Sequence, residues 1–278
     1  MFERSKIGLN RIIYPKIGLE DFFKFTKDLG LNKIELRNDL PGGKIIDDYN
    51  PEELKELSKK YGVEILTINA LQKFNLGTIL PDTIEELKKL IDLSSSINCK
   101  AIVLCPNNDV EDNRNPNDIF KETVASLKAF GPLFRDSGIE GYLEPLGFEE
   151  CSLRSLMTAM KAIQESGFSV YKTVHDSFHH HIGPDTFDII ENDYDISYTG
   201  LVHISGAECD LPINEYRDNH RLLVSKQDRL QNKEQIELLL KLGYGGNISF
   251  EPFSKSVQEM ESENLKSAID NSIKYISQ

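Results

Sequence analysis

The segment YKTVHDSFHHH, residues 171–181, decides how the rest of this chain is read. Tyr171, Thr173 and Val174 set the apolar alternation of a β-strand, and the strand closes on an acid, Asp176. A purification tag is terminal and unbroken, whereas this run is internal and interrupted by Ser177 and Phe178. An acidic residue at the carboxyl end of a buried parallel strand is where α/β folds place their chemistry. His175 precedes Asp176 and is expected on the opposite face of the strand as a packed histidine. His179, three residues beyond the aspartate, can reach back toward a substrate oxygen, and His180 and His181 are expected to be solvated loop histidines.

Outward from this strand, similar apolar runs recur at 6–10 (KIGLN), 33–37 (KIELR), 64–70 (EILTINA), 101–105 (AIVLC), 140–145 (EGYLEP), 200–206 (GLVHISG) and 247–253 (NISFEPF). Between most of them lie stretches with helical spacing, such as LEDFFKFTKDLG and PDTIEELKKLIDLSSSI, several closing on Gly30, Gly62 or Gly138. Eight strand candidates repeating at about 30 residues, the length of one βα unit, predict a (β/α)8 TIM barrel over residues 1–278 as a single domain. A doubly wound sheet would want a GxGxxG turn after its first strand, where the chain reads NRIIYPKIG.

Composition narrows the function. The 45 acidic and 32 basic residues leave a net charge of −13, which disfavours a nucleic-acid partner. No stretch has the length and apolarity of a membrane span and the amino terminus lacks a signal-peptide pattern, so a cytoplasmic protein without a membrane partner is expected. Four scattered cysteines without a CxxC pair suggest reduced thiols rather than a zinc knuckle or a disulfide framework.

In a barrel the strand ends converge on one mouth. Those ends are Asn10, Glu35 and Arg37, Asn69, Cys105, Glu144, Asp176, His203 and Glu251. The last four, 32, 27 and 48 positions apart, would place three carboxylates and an imidazole on consecutive strands. Buried together, the carboxylates would repel one another unless a cation lay among them, so one divalent metal ion is expected. Oxygen-rich ligation suits Mn²⁺, Mg²⁺ or Co²⁺, with Zn²⁺ tolerated. Any one of these acids alone could cap a helix or pair with a lysine; four in register weigh against that.

The stretches IELR (34–37), INALQKFN (68–75), LEPLGFEECS (143–152), HDSFHHH (175–181), VHIS (202–205) and FEPF (250–253) resemble the xylose-isomerase-like barrel superfamily of sugar isomerases and epimerases, within it the inosose isomerase branch. The resemblance implies that Glu144, Asp176, His203 and Glu251 bind the metal and that Glu144 and Glu251 act as acid and base. It also makes His179 and an arginine of the loop after the seventh strand substrate contacts. Arg221 is the first choice; that loop departs from the family pattern, so Arg217 and Arg229 stand as alternatives. Glu35 and Asn69 are further candidates for substrate hydroxyls. The expected partner is a small polyol or sugar, and the resemblance admits a homo-oligomer.

The expected reaction moves a ketone to the adjacent carbon of 2-keto-myo-inositol or a related sugar through an enediolate, which needs a base, a proton donor and a Lewis acid. A ketose 3-epimerase would share this chemistry and return the proton to the original carbon. An AP endonuclease is more remote, since it calls for extra histidines where Asn69 and Cys105 stand. A barrel that binds a sugar without catalysis would not need the four-donor set.

Overall fold

The parallel strands close on themselves, β1 pairing with β2 on one side and with β8 on the other, in the order β1 to β8 around the barrel. This is a computed structural model describing residues 3–278. The strands are β1 (Ile7–Asn10), β2 (Lys33–Arg37), β3 (Glu64–Leu71), β4 (Ala101–Leu104), β5 (Glu140–Leu143), β6 (Tyr171–Asp176), β7 (Thr199–Ile204) and β8 (Asn247–Phe250). All eight expected strands form, and the fold is the expected (β/α)8 barrel.

The helices are α1 (Leu19–Asp28), α2 (Pro51–Tyr61), α3 (Leu80–Ser96), α4 (Pro116–Ser137), α5 (Leu156–Ser166), α6 (Ser177–Ile182), α7 (Phe187–Asp193), α8 (Asn232–Lys241), α9 (Lys255–Gln258) and α10 (Ser262–Ile276). Local chemistry sets their ends. Asn50 starts α2 with a capping box completed by Glu53, Pro51 takes the first turn, and Gly62 ends the helix at φ 64°, a left-handed conformation that glycine adopts without a Cβ penalty. None of the helices among the described residues is long and apolar enough to cross a membrane.

The two faces of each strand meet different layers. Outward residues such as Leu143, Tyr171, Val202 and Phe250 join the main core with Phe22 and Phe23 of α1, Phe130 and Phe134 of α4 and Ile269 of α10. Each such side chain contributes about 1.5–3 kcal/mol on burial. A separate cluster, in which Tyr142 packs against Val174 and Leu201, fills the barrel's interior. On β5, β6 and β7 these residues share the parity of Glu144, Asp176 and His203 two positions on, so the apolar plug forms a floor directly beneath those groups.

The histidine run departs from the expected loop. Asp176 accepts through Oδ1 from the backbone N–H groups of Phe178 and His179, at 2.7 and 3.1 Å, and so starts α6 at once. Because the run is helical, His180 turns back onto β6 and is buried, its ring centroid 4.8 Å from that of His175. His181 stays half-buried beside Tyr216. His175 is on the outer face as expected, its Nε2 2.8 Å from Gln235 Oε1 on α8.

Candidate active site

Glu144 and Glu251 each lie one residue past their strands, but the hydrogen-bond ladder carries on through them. Glu144 N donates to Leu104 O at 3.1 Å and Glu251 N to Ile204 O at 2.9 Å. Both carboxyls are thereby held on rigid backbone beside Asp176 and His203. One donor atom from each of the four residues lies within 4.8 Å of the others, and all four are buried. His203 Nδ1 is 2.7 Å from Glu144 Oε1, 3.3 Å from Glu251 Oε2 and 4.0 Å from Asp176 Oδ2. Asp176 thus divides its carboxylate, Oδ1 capping α6 and Oδ2 facing the cluster.

Behind His203 stands Glu35. Its Oε2 is 3.0 Å from His203 Nε2 and accepts from Thr67 Oγ1 at 2.6 Å and Asn69 Nδ2 at 3.0 Å. Glu35 is wholly buried, and Asn69 is 1 % exposed with its amide committed to Glu35 and Thr67. The structure therefore places these two, expected at the substrate, in the net that orients His203.

Two arginines close the remaining sides. Arg37, at the end of β2, donates from Nη1 to Glu251 Oε1 at 2.7 Å and grips Asp39 with Nε and Nη2, both at 2.7 Å. Asn10 adds a bond to Glu251 Oε1 at 3.1 Å. Arg221 lies on the long segment between β7 and α8 and reaches Asp176 Oδ2 at 2.5 Å and Glu251 Oε2 at 2.8 Å through Nη2. Gly206 pairs with Leu222 in both directions at 2.7 Å, Arg221 O accepts from Ser254 N at 2.9 Å, and the guanidinium lies between the Phe178 and Phe253 rings. Of the three candidate arginines, Arg221 alone enters the cluster; Arg217 and Arg229 are exposed.

Sequence reasoning placed Arg37 at a strand end without a role. The available signal was parity, since IELR puts Glu35 and Arg37 on the same strand face. Cys105 also enters the site, with Sγ 3.7 Å from Glu144 Oε2 and its thiol pushed well up by burial and the Glu144 charge.

Electrostatics separate the carboxyls. Burial, reinforced by Glu251 and Asp176, raises Glu144 against the pull of His203. Burial and the Glu251 charge also raise Asp176 against Arg221. Burial opposes ionisation of Glu251 too, yet His203, Arg221 and Arg37 outweigh it and hold that carboxyl well below its ordinary range. Desolvation works against a charged His203, but Glu251, Glu35 and Glu144 raise it well above a free imidazole.

The donor set suits a divalent cation. At the cluster itself, Glu35, Glu144, Asp176 and Glu251 stand with two guanidinium groups, Arg37 and Arg221, an excess of two negative charges before His203 takes a proton. Three carboxylates and one imidazole form a hard, oxygen-rich set, and separations below 4.8 Å accommodate bonds of roughly 2.0–2.3 Å to a central ion.

His179 flanks the cluster. Gly147 N donates to its Nδ1 at 3.2 Å, its Nε2 lies 3.5 Å from Arg221 Nη1, and burial with the Arg221 charge lowers its pKa to about 3.

The profile of the xylose isomerase-like TIM barrel family matches residues 23–277. A protein named inosose isomerase from Halalkalibacterium halodurans is 23 % identical over 257 residues, covering 91 % of this chain and 90 % of that protein. A xylose isomerase domain containing protein from Salmonella typhimurium LT2 superposes with a TM-score of 0.93 at 36 % identity, covering 100 % of this chain and 99 % of the other. An IOLI protein solved with a bound zinc atom gives a TM-score of 0.90 at 20 % identity, with 98 % of both chains covered.

Proposed function

This chain belongs to the xylose isomerase-like TIM barrel family, and from that premise we propose that it is a divalent-metal-dependent isomerase of a keto-inositol or related sugar that moves a ketone to the adjacent carbon. The observation that carries the reading is the buried set of three carboxylates and one imidazole on four successive strands, with two of the carboxyls pushed in opposite directions. The match to an inosose isomerase along most of its length supports the substrate class, and the zinc in the IOLI neighbour supports metal dependence.

Glu144, Asp176, His203 and Glu251 would hold the ion, with Mn²⁺, Mg²⁺ or Co²⁺ suited to the donors and Zn²⁺ accepted. When bound it would supply Lewis-acid polarisation of the carbonyl and lower the free energy of an enediolate. Glu251, kept ionised by Arg37 and Arg221, has the character of the base that takes the proton from the carbinol carbon beside the ketone. Glu144, on the other side of the cluster, would return a proton to the former carbonyl carbon while the carbinol hydroxyl proton passes to the former carbonyl oxygen, which leaves the ketone on the adjacent carbon. Glu35 orients His203 through Nε2, and His179 and Arg221 hold substrate oxygens at the mouth.

Proton exchange of 2-keto-myo-inositol in D₂O, followed by NMR with the metal-loaded protein, tests this directly. Formation of a new ketone, depressed on the order of 10²–10⁴-fold in Glu251→Gln and Glu144→Gln, is expected. Epimerisation of a ketohexose without inosose turnover would transfer the assignment to a 3-epimerase, and near-native rates in both variants would remove the acid–base pair.

A further inference from the structure

A cavity of about 590 Å³ opens on the flank of the barrel, between the segment 222–227 and helices α9 and α10. It shares no residue with the four-donor cluster. Leu222, Met260, Ala268 and Tyr275 line it, and each is only partly buried against the core behind. The volume falls within the roughly 300–1,000 Å³ of small-molecule sites, and an apolar floor open to water gains free energy when covered. The large apolar side chains that stand exposed among the described residues, Val110 and Ile213, are elsewhere. The floor is therefore recessed. A small molecule can reach it, whereas a flat protein or bilayer surface would touch only the rim.

The rim is cationic in a chain whose net charge is −13. Lys226 and Lys274 line the cavity, and Lys226 is shared with an adjoining depression that holds Arg229. Nearby lysines are matched, Lys241 to Glu191 and Lys266 to Asp28 and Glu263, but Lys226, Lys274 and Arg229 form no ion pair among the described residues. Of the two acids beside them, Asp228 spends its carboxylate on the backbone N–H groups of Ala207, Leu230 and Asn232, and Glu208 accepts from Ser225 Oγ at 2.7 Å. The cavity wall is also the back of the segment that carries Arg221. Arg221 reaches Asp176 and Glu251, and Leu222, the next residue, lines the cavity. This segment has no slack. Ser272 Oγ donates to Val224 O at 2.6 Å, and a Cβ on Gly206 would stand 2.8 Å from Leu223 O and 2.9 Å from Val224 Cα.

We propose that this cavity binds a small amphipathic anion, with an apolar ring or short acyl body on the floor and one carboxylate, sulfonate or phosphate head at the lysines, and that its occupancy stiffens the segment carrying Arg221. The inference goes beyond the proposed function and does not rest on it. A polyol is the wrong occupant, because its hydroxyls would be left unbonded against the floor. The head group takes the charge that Lys226 and Lys274 leave unmatched.

The probe is 8-anilinonaphthalene-1-sulfonate, with N-phenyl-1-naphthylamine as its uncharged counterpart, each titrated by fluorescence into the full chain. One sulfonate probe per chain is expected. Its binding should weaken on the order of tenfold in the double variant Lys226→Glu with Lys274→Glu, and in about 0.5 M salt, with the uncharged probe indifferent to both. Ala268→Trp, which fills the cavity, should abolish binding of either probe while circular dichroism shows the fold kept. In hydrogen-exchange mass spectrometry the sulfonate probe should slow exchange severalfold at 222–227 and in α10. Several probes per chain, wild-type affinity in the lysine variant, or slowing confined to other segments overturns the site. Slowing in α10 with 222–227 unchanged overturns the link to Arg221. A wild-type dimer that sediments as a monomer in Ala268→Trp overturns the small anion in favour of a second copy of this chain.

Discussion

Replacing Glu35 should weaken metal binding although Glu35 is not among the four grouped donors. Its Oε2 accepts from Thr67 and Asn69 and faces His203 Nε2 at 3.0 Å. In Glu35→Ala the Asn69–Thr67 bond at 2.9 Å remains, but the Thr67 hydroxyl, one Asn69 N–H and Nε2 of the wholly buried His203 all lose their partner. Each buried donor left orphaned predicts a stability loss of about 1–3 kcal/mol. An imidazole freed at Nε2 loses both its orientation and part of its basicity, and removal of such outer partners weakens metal affinity by about 10- to 100-fold, or about 1.4–2.7 kcal/mol. Glu35→Gln keeps one acceptor oxygen but points an NH₂ at Asn10 Nδ2, which lies 3.4 Å from the present Oε1, so its loss should be intermediate. Competition with a chromophoric chelator measures the affinity, and thermal melts with and without metal give the linked stability. Wild-type affinity in both variants, with circular dichroism showing the fold intact, would refute the assignment of Glu35 as the residue that orients His203.

Arg37→Met removes the cation on Glu251 Oε1; the Glu251 carboxyl, now depressed, should rise, moving the acidic limb of the kcat/KM profile to higher pH and lowering turnover on the order of 10- to 100-fold. An unmoved limb would disconnect Arg37 from the base. Metal affinity should fall as pH drops from about 8 to 5, because the raised Glu144, Asp176 and His203 all bind protons that the ion must displace; a flat response in a buffered metal titration would contradict this. Gln235→Leu strips His175 Nε2 of its 2.8 Å partner and takes the amide donor away from Ser177 O and Leu230 O, so urea unfolding should show a loss of about 2–4 kcal/mol, and a change below about 0.5 kcal/mol would show that these bonds are replaced.

The barrel was legible because most strands are buried on both faces and so read as short apolar runs, a pattern set by the strand's own residues. The convergence of Glu144, Asp176, His203 and Glu251 followed from topology alone, since closure makes the strand ends neighbours at any sequence separation. What escaped is what depends on orientation. Four histidines in nine positions look alike in sequence, and only the immediate capping of α6 by Asp176 separates buried His180 from half-buried His181. Arg221 was the first choice in sequence, but what separates it from Arg217 and Arg229 is the Gly206–Leu222 pairing, a contact between loop segments with no periodic signature. Glu35 and Asn69 were found at the right end of the barrel, yet Glu35 bonds His203 on β7 and Asn69 bonds Glu35 on β2, cross-strand partners that parity along one strand does not assign.

Glu251 is held by Asn10 of β1 across 241 positions and by Arg37 of β2 across 214, so the candidate base sits at the seam where the last strand meets the first. A ribosome emits Asn10 and Arg37 long before it emits Glu251, and the cluster cannot be completed until β8 has emerged and closed the ring. Nascent chains and any fragment ending before residue 251 lack one of the four grouped donors, so on the proposed reading metal retention would distinguish finished molecules from truncated ones without any assay of turnover.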